Sequence, residues 1–84
     1  MEVLMKISQM HWNTLKKDVF LSQTILTRDE LLAFNDALLG DTYEEVAERH
    51  GWSVKKVNNL IKSIREKYDD VQPRNADILE PRVK

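Results

Sequence analysis

Two capping boxes set fifteen residues apart constrain the fold of this chain more than any other feature. In Thr27-Arg28-Asp29-Glu30 and in Thr42-Tyr43-Glu44-Glu45, a threonine hydroxyl accepts from the free N–H groups of a starting helix. The glutamate at the third helical position reaches back to the threonine's own N–H, so each box satisfies two donors that a helix end otherwise leaves open. Leu26 and Leu31 flank the first box at the spacing of a hydrophobic staple. The spacing predicts a helix over 28–39, with Leu31, Leu32, Phe34, Ala37, Leu38 and Leu39 as its apolar stripe and Gly40 as its left-handed stop. The second box, with Asp41 adding negative charge where the helix dipole favours it, opens a helix that ends near His50-Gly51. Ser53 then caps a third, whose apolar positions Val54, Val57, Leu60, Ile61, Ile64 and Tyr68 fall on one side. Lys55, Asn59, Lys62, Ser63 and Glu66 fall on the other, with Asn58 and Arg65 on a flank.

Outside this block the signals are weaker. Leu4, Ile7, Trp12, Leu15, Val19 and Phe20 have roughly helical spacing and predict a helix over about 8–21, with Val3–Ile7 alternatively extended. After Tyr68, DDVQPRNADILEPRVK holds both prolines of the chain and no periodicity, which predicts an extended or disordered tail. The expected organisation is therefore residues 1–25 as a helical segment for packing or dimerisation, 26–68 as the main domain and 69–84 as the tail.

The 84 residues fit one small domain, and two glycines with two prolines are too few for a turn-rich β fold. The expected class is all-α, a three- to four-helix bundle. No apolar run approaches the roughly 20 residues of a membrane helix, and the N-terminus lacks the apolar core and cleavage site of a secretion signal. The absence of cysteine removes disulfides, thiolate metal sites and thiol catalysis. His11 and His50 lack a carboxylate or histidine partner three or four residues on, and there is no phosphate loop or nucleophile elbow. No catalytic residue, metal or cofactor is expected.

Helices joined by His50-Gly51-Trp52-Ser53 are the material of a helix-turn-helix. Ala47 is small enough for the second helix to cross closely, Gly51 accepts a positive φ in the turn, and Val54, Val57 and Leu60 recur at helical spacing beyond it. A helical hairpin that only packs a bundle is the alternative. The net charge of −1 argues weakly against nucleic acid, but it is unevenly distributed. Residues 28–48 carry one basic and seven acidic residues, and residues 53–68 carry Lys55, Lys56, Lys62, Arg65 and Lys67 against Glu66 alone. Such a basic stripe binds phosphates locally even on a near-neutral molecule.

GDTYEEVAERHGWSVKKVNNLIKSIREKY resembles the C-terminal helix-turn-helix of bacterial sigma factors, region 4, of the sporulation and extracytoplasmic-function type. LuxR-type output domains share the layout. LTRDELLAFNDALLGD resembles the preceding helix of region 4, so the resemblance covers about residues 26–68. It implies a small DNA-binding transcription regulator, from a bacterium, phage or plasmid, in the cytoplasm and associated with the nucleoid. Its partner would be double-stranded DNA, with the helix over 53–68 in the major groove. Ser53, Lys55, Asn58 and Asn59 would face base edges, and Lys56, Lys62 and Arg65 would meet phosphates, with Thr42 and Arg49 on the flanking backbone. Trp52 is expected to plug the core between the two helices. Region 4 also binds the RNA polymerase flap through its first helices, so the alternative is a polymerase-binding regulator or split-sigma subunit, which the acidic 28–48 stretch suits. A homodimer through residues 1–25 on a palindromic site is a third arrangement.

Overall fold

The computed structural model describes residues 6–82. Four α-helices follow in order: α1 Thr14–Gln23, α2 Arg28–Leu38, α3 Tyr43–His50 and α4 Val54–Val71. Single 3-10 turns at Ile7–Gln9 and Gln72–Asn75 bracket them. The chain is all-α, a small bundle in which α4 packs against α2 and α3 and touches α1. Both capping boxes form: Thr27 Oγ1 accepts from Glu30 N and Thr42 Oγ1 from Glu45 N, both at 3.2 Å. The returning bonds run from the threonine N–H groups to Glu30 Oε1 at 2.8 Å and Glu45 Oε1 at 3.1 Å.

The first helix begins at Thr14, not residue 8. Asn13 is its N-cap, its Oδ1 accepting from Lys16 N at 2.8 Å. Just before it, Trp12 packs against the core with its indole N–H donating to the Ile7 carbonyl at 2.8 Å. The apparent helical spacing across Ile7 and Trp12 thus joins a 3-10 turn to a separate helix. Leu4 and the start of the Val3–Ile7 segment lie outside the described residues. Trp12 meets Phe34 edge-on at 5.2 Å between centroids and Tyr68 at 5.7 Å, while Phe20 lies 5.5 Å from both Phe34 and Tyr68. These rings cover the open side of the bundle from within the same chain, leaving Leu15 and Ile25 as the exposed large apolar residues among the described residues 6–25.

In α2 the buried row is Glu30, Ala33, Phe34 and Ala37. Leu31 and Leu39, expected inside, are exposed. The two alanines keep the helix surface low where it meets the rest of the bundle, and Glu30 enters the core because three groups receive its carboxylate. Lys67 Nζ donates to Oε1 at 2.7 Å, Ser63 Oγ to Oε2 at 2.6 Å, and the Thr27 N–H completes the set. Lys67 also donates to the Ile25 carbonyl at 2.8 Å. Burial works to raise the Glu30 pKa, but the bonds from Lys67, Ser63 and Thr27 outweigh it and hold the carboxyl at about 2.

The C-terminal segment is folded where an extended or disordered tail was expected. Helix α4 continues three residues past Tyr68, and the chain turns back so that Leu79 is buried. Tyr68 donates its hydroxyl to the Glu80 carbonyl, Gln72 Nε2 donates to the Leu79 carbonyl at 3.0 Å, and Arg82 Nε donates to Asp69 Oδ1 at 2.8 Å. Glu80 in turn accepts from His11 N at 3.2 Å, tying the two ends of the chain together.

Two measurements check this packing. Leu79→Ala should cost about 2–4 kcal/mol in denaturant unfolding, the penalty of a buried leucine, whereas a disordered tail would give no change. Glu30→Gln should cost about 2 kcal/mol at pH 7 by loss of charge-assisted bonds. A carboxyl depressed from 4.5 to about 2 stabilises the fold fully above its unfolded value and loses that contribution as pH falls through the folded one. The stability gap between wild type and Glu30→Gln should therefore close between about pH 4.5 and pH 2. A gap unchanged at pH 2.5 would contradict the assignment.

Candidate nucleic-acid interface

Helix α3, its turn and α4 form a helix-turn-helix. Gly51 adopts the left-handed conformation (φ 70°, ψ 31°) that ends α3, and Trp52 N donates back to the Ala47 carbonyl at 2.9 Å. A side chain at Gly51 meets no steric obstacle, so glycine serves the backbone conformation there. Ala47 is buried beside the turn. Ser53 caps α4, its Oγ accepting from Lys56 N at 3.1 Å. Val57, Ile61, Ile64, Tyr68 and Val71 form the buried row of the helix.

The expected site residues divide into two sets. Lys55, Asn59 and Lys62 are exposed and, among the described residues, make no side-chain hydrogen bond or ion pair. Arg65 is half-buried on the adjoining flank and likewise unpaired among the described residues. Asn58 is exposed, with its Nδ2 donating to the Val54 carbonyl at 3.3 Å. Ser53 is exposed at the helix tip, already engaged as the cap. Lys56 departs from the expected role. Its ammonium pairs with Asp29 of α2 at 2.9 Å and lies 4.7 Å from the centroid of the Trp52 ring, so it faces the bundle and is already neutralised. Ser63, expected on the outer face, bonds to Glu30 instead.

The flanking residues are likewise engaged within the chain. Arg49 pairs with Asp41 and with Asp36 (3.1 Å), and hydrogen bonding to Asp41 raises the pKa of its guanidinium further. Thr42 is engaged as the cap of α3. His50 does have a carboxylate partner, Asp36, whose Oδ2 lies 2.6 Å from Nε2. The imidazole also stacks on Trp52 at 4.5 Å. Trp52 is partly buried against the core, beneath Lys56 and beside His50.

Four of the seven acidic residues of 28–48 are paired with basic groups, while Glu44, Glu45 and Glu48 are exposed on α3. Asp29 and Glu30 face the lysines of α4, and Asp36 and Asp41 hold the end of α3. Pairing across the helices consumes Lys56 and Lys67 and leaves Lys55, Lys62 and Arg65, like Glu66, outside these pairs. The sequence carried one signal of this, opposite charge blocks in helices of one small domain. Which lysine meets which carboxylate depends on helix rotation, which the blocks do not specify.

Val54 is the second departure. Expected in the core, it is 39% exposed at the first position of α4. At 100° per residue it lies within about 20° of Ile61, in line with the buried row but at its exposed end, where it borders with Asn58 a shallow depression that Asp41, Thr42, Tyr43 and Glu44 also line. No helix among the described residues is long and apolar enough to cross a membrane. Comparison with protein-family models, curated proteins and solved structures finds no match.

The division between tied and free lysines gives a direct check. Lys56→Gln should lower stability by about 0.5–1 kcal/mol, the worth of a partly exposed ion pair with a cation–π contact. Lys62→Gln should leave it within about 0.5 kcal/mol. Equal effects in urea unfolding would contradict the assignment of Lys56 to the bundle.

Proposed function

We propose that this chain is a non-enzymatic binding module, a small transcription regulator resembling sigma factor region 4, that inserts α4 into the major groove of duplex DNA. The observation that carries the reading is the partition of charge around the helix-turn-helix. Asp29 and Glu30 of α2 are engaged by the α4 lysines that face the bundle, and the cations left over share one exposed side of the helix with two asparagines. A phosphate backbone rewards such a local arrangement even when the whole chain carries −1. Asn59, exposed and without a competing bond, reads adenine through its carboxamide, and Lys55 reaches guanine acceptors. Asn58 must release its bond to the Val54 carbonyl to donate to a base, which makes it the weaker reader of the pair. Lys62 and Arg65 hold phosphates and set register.

The test is selection of a duplex from a random pool, followed by anisotropy titrations at several salt concentrations. Asn59→Ala should cost about 1–3 kcal/mol on the selected site and little on random duplex. Lys62→Ala should weaken both about equally and reduce the log–log salt slope by about one. Variants that bind both duplexes like wild type would contradict the reading.

One observation favours the polymerase-contact alternative. Leu31 of α2 and Leu39, the residue that caps its C-terminus, are 38% and 79% exposed and offer apolar surface to a protein. Asp29, Glu30, Asp36 and Asp41 are paired within the chain, and Glu44, Glu45 and Glu48 on α3 are the exposed acidic residues left for such a partner. If Leu39→Ser abolishes binding to a polymerase flap fragment while the Lys55, Asn59 and Lys62 variants regulate normally, the alternative replaces the DNA reading.

A further inference from the structure

We infer that Val54 is a specificity determinant, reading the C5-methyl group of a thymine in the major groove. The inference rests on the DNA reading above and adds a base and a functional group to it. An isolated exposed aliphatic residue ordinarily needs no explanation, but Val54 has a particular place. It is the first residue of α4, in the turn of a recognition helix from which base edges are reached. Of the aliphatic residues in that helix it alone is exposed, the others being buried or half-buried.

Its neighbours define the chemistry it meets. Lys55 follows it in the chain, and Asn58 stands one turn on with its Nδ2 bonded to the Val54 carbonyl. That bond holds the Asn58 carboxamide next to the valine and leaves Oδ1 as an acceptor. Asp41, Thr42, Tyr43 and Glu44, at the start of α3, line the other side of the same depression with Lys6 and Ser8, so Val54 is its aliphatic contact, and in the bound pose the acidic side is held off the DNA backbone. The apolar feature a base pair offers in the major groove is the thymine methyl, and side-chain methyls pack against it. Valine suits this contact because branching at Cβ fixes χ1, so little rotamer entropy is lost when the methyl is covered. The Asn58 acceptor beside it matches the exocyclic amine of an adjacent adenine or cytosine.

The test uses the full chain and a duplex selected from a random pool, each thymidine of which is replaced in turn by deoxyuridine, which removes the methyl alone. One replacement should weaken wild-type binding by about fourfold, equivalent to burial of one methyl at about 0.8 kcal/mol. Val54→Ala should bind the two duplexes within about 1.5-fold of each other, and Val54→Ile, which keeps the methyl surface, should restore the difference. Circular dichroism should find both variants folded, since the position is on the surface. A wild type indifferent to every replacement, or a difference that persists in Val54→Ala, overturns the inference and leaves the DNA reading in place. A chain that enriches no duplex at all overturns both.

Discussion

The carboxylate of Glu30, drawn into the bundle, fixes the relation between α2 and α4 on which the rest of the molecule depends. It accepts from the N-terminus of its own helix, from Ser63 and from Lys67, and through Lys67 it reaches the Ile25 carbonyl in the preceding loop. A buried carboxylate without such partners would cost several kcal/mol; with its acceptors filled it becomes directional. With Glu30 in place, one side of α4 is committed to α2 through Lys56, Ser63 and Lys67, and Lys55, Asn59 and Lys62 stay exposed beside it.

The local features of this fold were legible in the sequence because their causes are local. Thr27 with Glu30 and Thr42 with Glu45 form their caps from groups three residues apart, and Gly51 ends α3 through its own backbone conformation. Helix starts there were correct to the residue. What failed depended on partners far along the chain. The tail has no periodicity because its order comes from Leu79 entering a core built by other segments and from bonds that join Glu80 to Tyr68 and His11. Glu30 reads as a capping residue, and nothing near it announces Ser63 and Lys67. The leucines of α2 misled for a related reason: the buried row is set by close approach at alanines, which carry little hydrophobic signal, while Leu31 and Leu39 remain outside.

The same distinction runs through the candidate site. Its outline was legible, since Lys55, Asn58, Asn59 and Lys62 are exposed on α4 as the spacing predicted. Its electrostatics were not. Counting charges by segment suggested a basic stripe of five beside an acidic stretch of seven, whereas in the fold Asp29 meets Lys56 and Glu30 meets Lys67. Internal pairing thus reduces the exposed acidic surface of this stretch to Glu44, Glu45 and Glu48 and narrows the free cations of the stripe to Lys55, Lys62 and Arg65. It also ties the turn to α2, through His50 and Arg49 on Asp36 and through Lys56 over Trp52. The interactions that diminish the positive stripe are the ones that orient what remains.

The central claim is that the exposed side of α4 carrying Lys55, Asn59 and Lys62 is the surface that meets DNA. Titrating isotopically labelled protein with a selected duplex, while following backbone amide and side-chain carboxamide NMR signals, tests it most directly. The account requires the largest shifts at residues 53–62, including the Asn59 carboxamide, with the amides of Leu31–Leu39 unmoved. Shifts concentrated on α2, with the Asn59 carboxamide unmoved, would contradict it.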